Sequence, residues 1–245
     1  MIETDNYWIV DKKFTFKPHF DDLIDEYMHL IEQCNELIFS DYYDIGNKHY
    51  KTSNFNQIIT LPNSLTHLTF GGNFNQIITL PNSLTHLTFG YDFNQIITLP
   101  NSLTHLTFGI KFNQIITLPN TLTHLTFGMC FKQSMNLSNI EYLKLDCNNT
   151  HLIENLPNSL VELELNYNLN LELNNLPSNL KKIVIQSQSK FNKELNNLPN
   201  SIEEIILNVS YNKQIKNIPQ NFKKITCCED YPFIDDFENY EISHY

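Results

Sequence analysis

The chain of 245 residues contains no alanine and no arginine, one tryptophan (Trp8) and six glycines. Lacking arginine, it has no guanidinium to read guanine or phosphate in bidentate fashion, and its 16 lysines face 27 acidic residues for a net charge of −11. Nucleic acid is therefore not an expected partner, and neither is an anionic membrane surface. The five cysteines are odd in number and form no C-x-x-C pair, which excludes a disulfide framework and a zinc site of the usual spacing. No apolar run reaches eighteen residues, and the start, MIETDNYWIVDKKF, has no apolar signal region. A cytoplasmic, monomeric protein is the expectation. No G-x-S-x-G, H-E-x-x-H, phosphate loop or dinucleotide fingerprint occurs, so no catalytic residue, metal or cofactor is assigned and the chain is not read as an enzyme.

What is present is repetition. The stretch Phe55 to Gly71, FNQIITLPNSLTHLTFG, recurs from Phe74, Phe93 and Phe112 at intervals of nineteen residues, with Thr121 in place of Ser as the only internal change. Fixed short periodicity marks a solenoid, in which each unit cannot bury its apolar face alone and stacks on its neighbours. Nine units run from Phe55 to about Cys228, marked by Leu61, Leu80, Leu99, Leu118, Leu137, Leu156, Leu176, Leu198 and Ile218. Proline follows each marker except Leu137, and the spacing widens from nineteen to as much as twenty-two residues in the later units. In Leu65-x-x-Leu68-x-Phe70 the apolar residues end in a period of two, which predicts a strand with one buried face. Pro62 and Asn63 turn the chain into that strand, and Gly71 bends it out. Phe74, Ile77 or Ile78, and Leu80 supply the return limb. Two phenylalanine columns, led by Phe55 and Phe70, belong to the core, and the column of Asn56, Asn75, Asn94 and Asn113 links the turns through side-chain amides.

The tail L-P-x-x-L-x-x-L-x-[LF] is the leucine-rich-repeat strand pattern in short form. The fuller unit F-N-Q-x-I-x-x-L-P-x-S-L-x-x-L-x-F-G resembles the FNIP repeat family, a leucine-rich-repeat relative, over residues 55 to about 228. The resemblance implies an α/β or mainly β solenoid: a curved, leucine-rich-repeat-like stack of about nine units of 19–22 residues, with a parallel β-sheet on the concave face and a helical N-terminal cap. It further implies a repeat protein of interaction function. Members occur in social amoebae and in giant DNA viruses of amoebae, which would place a viral member in the host cell cytoplasm. Some members carry an F-box and would act as substrate receptors of a ubiquitin ligase; residues 1–54 show no Leu-Pro opening of that kind.

Three segments follow. Residues 1–54 form a capping segment, with an amphipathic helix predicted over Asp21 to Gln33, a short strand at Glu36 to Phe39, and a polar connection from Asp41 to Asn54. Residues 55–228 are the solenoid. Residues 229–245, rich in acidic and aromatic side chains and free of lysine, close its far end.

Strand residues between the buried ones face outward. The outward positions are therefore the candidate partner-binding residues: Thr66, His67, Thr69, His86, Thr88, His105, Thr107, His124 and Thr126, then Tyr142, Glu162, Lys182, Glu204 and Lys224. The four histidines form a ladder. Imidazoles in a straight row on a flat face do not wrap a tetrahedral ion, so no metal site is assigned, and duplication of one surface histidine explains the row equally well. From Glu162 to Lys224 the sign alternates from strand to strand, which pairs each charge with its opposite. The expected function is a non-enzymatic scaffold whose concave face binds a protein partner. Two alternatives are a substrate-recognition subunit of a ubiquitin-ligase assembly and a repeat protein with no specific partner.

Overall fold

In each of the first units, alternation of apolar residues selects a three-residue strand whose middle side chain is buried and whose flanking ones are half-exposed: His67–Thr69, His86–Thr88 and His105–Thr107. A computed structural model describes residues 1–44, 49–166 and 169–245 of the chain. They divide into two units, Met1–Leu122 and Thr123–Tyr245.

The first unit opens with three strands, β1 (Ile2–Glu3), β2 (Tyr7–Val10) and β3 (Lys13–Phe16), paired antiparallel in succession. From β3 onward the ladder is parallel. Strand β4 (Glu36–Phe39) joins β3, and β7 (His67–Thr69), β8 (His86–Thr88) and β9 (His105–Thr107) follow in register. A separate antiparallel pair, β5 (Tyr42–Asp44) with β6 (His49–Lys51), interrupts the connection read as Asp41 to Asn54. The part of that connection at residues 45–48 lies outside the described residues.

The helix expected over Asp21 to Gln33 is much shorter. A 3-10 turn at Asp25–Tyr27 leads into α1 (Met28–Ile31), and Leu23, expected on the buried face, is exposed. The reason lies just upstream. Phe20 stacks on Phe16 at 4.0 Å and on Phe55 at 6.0 Å, so it is the first member of the phenylalanine column. Next to it, Asp21 accepts hydrogen bonds from the Asn56 backbone N–H and the Gln57 side chain. Phe20 and Asp21 thus stand where Phe and Asn stand in a repeat, and helical turns begin only beyond them. The N-terminal cap is mostly strand, with a short helical insert.

Two phenylalanine columns fill the first unit. Phe55, Phe74, Phe93 and Phe112 succeed one another at 6.1 Å, and Phe70, Phe89 and Phe108 at 5.6 and 5.8 Å, all with near-parallel rings. Offset stacks at this separation add to what area burial alone supplies. The turns are tied by a second ladder: the Oδ1 atoms of Asn56, Asn75 and Asn94 each accept from the backbone N–H of the next asparagine at 2.8–2.9 Å. No described glycine has a positive φ. Glycine is required for close approach instead: a Cβ on Gly90 would lie 2.2 Å from the Gly71 carbonyl oxygen, and one on Gly109 would lie 1.9 Å from that of Gly90.

The second unit is a parallel ladder throughout. It comprises β10 (His124–Phe127), β11 (Tyr142–Leu145), β12 (Glu162–Leu165), β13 (Lys182–Ile185), β14 (Glu204–Ile206), β15 (Lys224–Cys227) and β16 (Glu241–His244). A five-residue helix, α2 (Thr150–Glu154), replaces one return limb and is capped by the Asn149 side chain accepting from Leu152 N–H at 3.3 Å. Leucine and isoleucine take over the strand column, while Phe191, Tyr211 and Tyr231 continue an aromatic one at 6.3 and 6.1 Å. The nine expected strands are β7 to β15; β4 and β16 add two coils, making eleven among the described residues.

Candidate interaction surface

The parallel register lines up the outward residues. In the first unit His67, His86 and His105 occupy the same strand position. Their rings stack face to face, with centroids 4.1 Å apart and planes within 13–14°. Each ring is oriented by the threonine before it. The Oγ1 atoms of Thr66, Thr85 and Thr104 lie 2.9 Å from Nδ1 of the following histidine. Those hydroxyls also donate to the carbonyls of Asn35, Thr66 and Thr85, one coil earlier, at 3.2, 3.0 and 3.1 Å. Thr66 therefore sits at the surface but is committed to the backbone and to the ring beside it. Thr69, Thr88 and Thr107 stand outward and half-exposed in the neighbouring row. The N-terminal edge of the histidine row meets Glu36, which is in register with His67 and pairs with Lys13 at 3.0 Å.

In the second unit His124 is in register with Tyr142, their ring centroids 5.5 Å apart. Thr126 is in register with Lys144. The row Glu162, Lys182, Glu204, Lys224 is continued by Glu241 of β16, so the alternation of sign extends one strand further than the repeats predict. Lys182 meets Glu204 at 3.2 Å and Lys224 meets Glu241 at 2.7 Å. The Glu241 carboxylate hydrogen-bonds Lys224 and raises its pKa. Behind this row, at the turns, Lys223 lies 2.5 Å and Lys181 3.8 Å from Glu203. The exposed lysine pairs are thereby matched by acid and present no basic patch.

A denser polar group lies two residues further along the strands, and of its members only Tyr142 is among the candidates. Glu164, 7% exposed, accepts from Lys144 Nζ at 2.6 Å, from Gln186 Nε2 at 2.6 Å, and from the Tyr142 hydroxyl. Burial alone would raise the Glu164 pKa; the hydrogen bonds from Lys144, Tyr142 and Gln186 outweigh it and hold the carboxyl below the usual glutamate range. Tyr142 is shifted upward, first by burial and then by the glutamate it donates to. Beside them Asp146 is raised by burial against a hydrogen bond from Asn166, and its Oδ1 has no hydrogen-bond partner. The sequence did carry a signal for this group: Lys144 and Glu164 share one register in successive units with opposite signs. Its depth was not legible, because Tyr142 and Gln186 reach it from other registers.

Among the described residues no group of three His, Cys, Asp or Glu side chains is placed to hold a metal ion. None of their helices is long and apolar enough to cross a membrane. The face offers rows of like side chains and matched charges, an arrangement suited to contact over an area.

Residues 55–92, 74–111 and 93–130 each match the family model of the FNIP Repeat. Residues 55–130 carry FNIP repeats. The matched FNIP units end at residue 130, while the parallel strands continue through the more divergent units beyond. Among solved structures, this chain is similar to CroV588, described as a novel circular LRR protein structure, at 30% identity and a TM-score of 0.60, over 93% of this chain and 45% of that one. YopM from Yersinia enterocolitica WA-314 matches at 19% identity and a TM-score of 0.43, over 70% of this chain and 43% of that one. The chain spans under half the length of either structure. No curated protein matches it. The fold is that of a leucine-rich-repeat-like β-solenoid.

Proposed function

We propose that the chain is a non-enzymatic protein-interaction module that binds its partner on the outward face of the sheet. The observation that carries this reading is the run of stacked imidazoles at His67, His86 and His105, flanked by outward threonines on a face without charge across three strands. Such a face offers aromatic edges and hydroxyls at strand spacing, about 4.8 Å, which suits an extended or flat protein surface. Catalysis would need unlike groups converging on one point, and this face repeats like ones. The partner is a protein because a net charge of −11 without arginine disfavours nucleic acid and anionic lipid. The cytosol is the compartment that fits five unpaired cysteines.

The test is affinity capture from the native cell with the whole chain and with a His86→Glu, His105→Glu variant. Two carboxylates in adjacent strands reverse the character of the face and leave the buried columns intact. A specifically captured protein should be lost with the variant while its far-ultraviolet circular dichroism stays that of the folded chain, the two in-register carboxylates costing about 1 kcal/mol at most. Undiminished capture by the folded variant would reject the face. Recovery of ubiquitin-ligase subunits with the wild-type chain would assign the module to substrate recognition.

A further inference from the structure

Each of the first four repeats carries two adjacent isoleucines on its return limb, and in the stacked repeats only the second of them enters the core. Ile78, Ile97 and Ile116 are each 8% exposed, whereas Ile58, Ile77, Ile96 and Ile115 are 75%, 73%, 75% and 78% exposed. All belong to the unit Met1–Leu122. The hydrogen-bonded ladder of Asn56, Asn75, Asn94 and Asn113, two residues before each outer isoleucine, holds the four in register. They form a row that follows the neighbouring phenylalanine column, which advances 6.1 Å per unit.

The coil does not require this row. Counted from the aromatic-column residue, the fourth position is a buried apolar side chain in early and late units alike: Ile78 after Phe74, Leu195 after Phe191, Ile215 after Tyr211. The third position is the outer isoleucine in the early units, but Glu194 and Gln214 in those later ones. A polar side chain therefore serves the solenoid equally well there, and the early units expose isoleucine where water is the default neighbour. Within the repeats their flanks are uncharged, since no residue from Phe55 to Gly71, or in the three copies of that stretch, is acidic or basic apart from histidine; Asp21 stands only at the Ile58 end.

We propose that the row of Ile58, Ile77, Ile96 and Ile115 is a self-association surface joining two copies of this chain about a two-fold axis. Three properties favour a second copy as the occupant. A two-fold contact sets one patch against itself, and a row of single pitch is its own complement: turned antiparallel, each isoleucine of one copy enters a gap between two of the other. Two chains of net charge −11 repel, and an uncharged strip lets them meet without opposing like charges. The strip with its threonine and glutamine flanks amounts to roughly a few hundred Å² per copy, the scale of a functional surface patch and of a weak, transient contact. The dimer is accordingly reversible and dependent on concentration.

Sedimentation velocity of the full chain over a rising concentration series tests this, against an Ile77→Gln, Ile96→Gln variant. Glutamine already occupies the position at Gln214, so the coil accepts it. The wild type should pass from monomer to dimer and stop there. The variant should weaken the dimer by roughly a hundredfold, because each change removes apolar area from both copies, with no change in melting temperature at monomer concentrations. The His86→Glu, His105→Glu variant should dimerise as the wild type does, which separates this surface from the proposed binding face. A wild type that stays monomeric, open-ended association beyond two copies, or a variant as associated as the wild type would overturn the proposal. So would a monomeric wild type that floats with neutral phosphatidylcholine vesicles, which would assign the row to a lipid surface.

Discussion

A carboxylate taken out of water is stable only where donors replace the lost hydration. Glu164 and Asp146 show the two sides of that condition on one sheet face. Glu164 has three donors and a lowered pKa; its contribution to stability is complete above the ordinary glutamate range and is lost as the pH falls through the folded value. Glu164→Gln should destabilise the protein by about 2–3 kcal/mol at neutral pH, since it leaves Lys144 without its carboxylate. The gap to wild type should narrow in acid, as urea unfolding at a series of pH values would show; a gap that is flat into the acid range would remove Glu164 as the cause. Asp146 carries the opposite sign. Its raised pKa means that its contribution is present in acid and is lost as the pH rises through the folded value. Asp146→Asn should therefore stabilise the protein at neutral pH and converge with wild type in acid. A variant less stable than wild type at neutral pH would show that the Asp146 charge is satisfied by groups beyond Asn166.

Elements end where side chains substitute for the next or the previous coil. Asp21 does so for the asparagine ladder, and Asp41 accepts from the backbone N–H groups of Ser53 and Gly72 at 2.6 and 3.0 Å at the glycine corner. Asp21→Ala should cost about 1 kcal/mol, the scale of a lost side-chain cap, read as a lower urea midpoint with an unchanged slope. At the same corners Gly90→Ala should cost about 2–3 kcal/mol or more, because the added methyl meets the Gly71 carbonyl and backbone cannot yield as a side chain can. Wild-type stability in Gly90→Ala would show that the corner opens freely. These positions also mark what the sequence made legible. The strand alternation at Leu65, Leu68 and Phe70 is local and gave the coil, its pitch and the outward histidines. The pattern predicts a helix from Asp21 because periodicity over a dozen residues cannot register that Phe20 belongs to a column built from residues far along the chain. Within the pair Ile77–Ile78, alternation left the buried member open, and the limb geometry decides for Ile78. The depth of the Glu164 group was hidden for a related reason, since two of its donors, Tyr142 and Gln186, reach it across strands from other registers.

At the scale of the whole chain, near-identical units have a consequence that divergent ones do not. In a quasi-one-dimensional stack, stability is a sum of unit terms and nearest-neighbour terms. The boundary between the units starting at Phe55 and Phe74 has the same ring separation, 6.1 Å, and the same asparagine bond, 2.9 Å, as that between those starting at Phe74 and Phe93. Removing residues 74–92 would join Phe55's unit to Phe93's across a boundary of the kind already present. Nothing buried would be left without a partner: Phe70 would stack on Phe93 as it does on Phe74, and Asn56 would accept from Asn94 as it does from Asn75. The deletion should therefore fold, keep the shape of the far-ultraviolet circular dichroism spectrum, and lose only one unit term and one neighbour term. Removing residues 150–168 should not be tolerated, because it takes away the helical limb α2 and the strand that carries Glu164 while leaving Lys144 and Gln186 in place. Comparing the two deletions by thermal melting tests the additive view directly. Equal loss in both would mean that the early repeats are as mutually specific as the later ones and that their sameness has no energetic meaning.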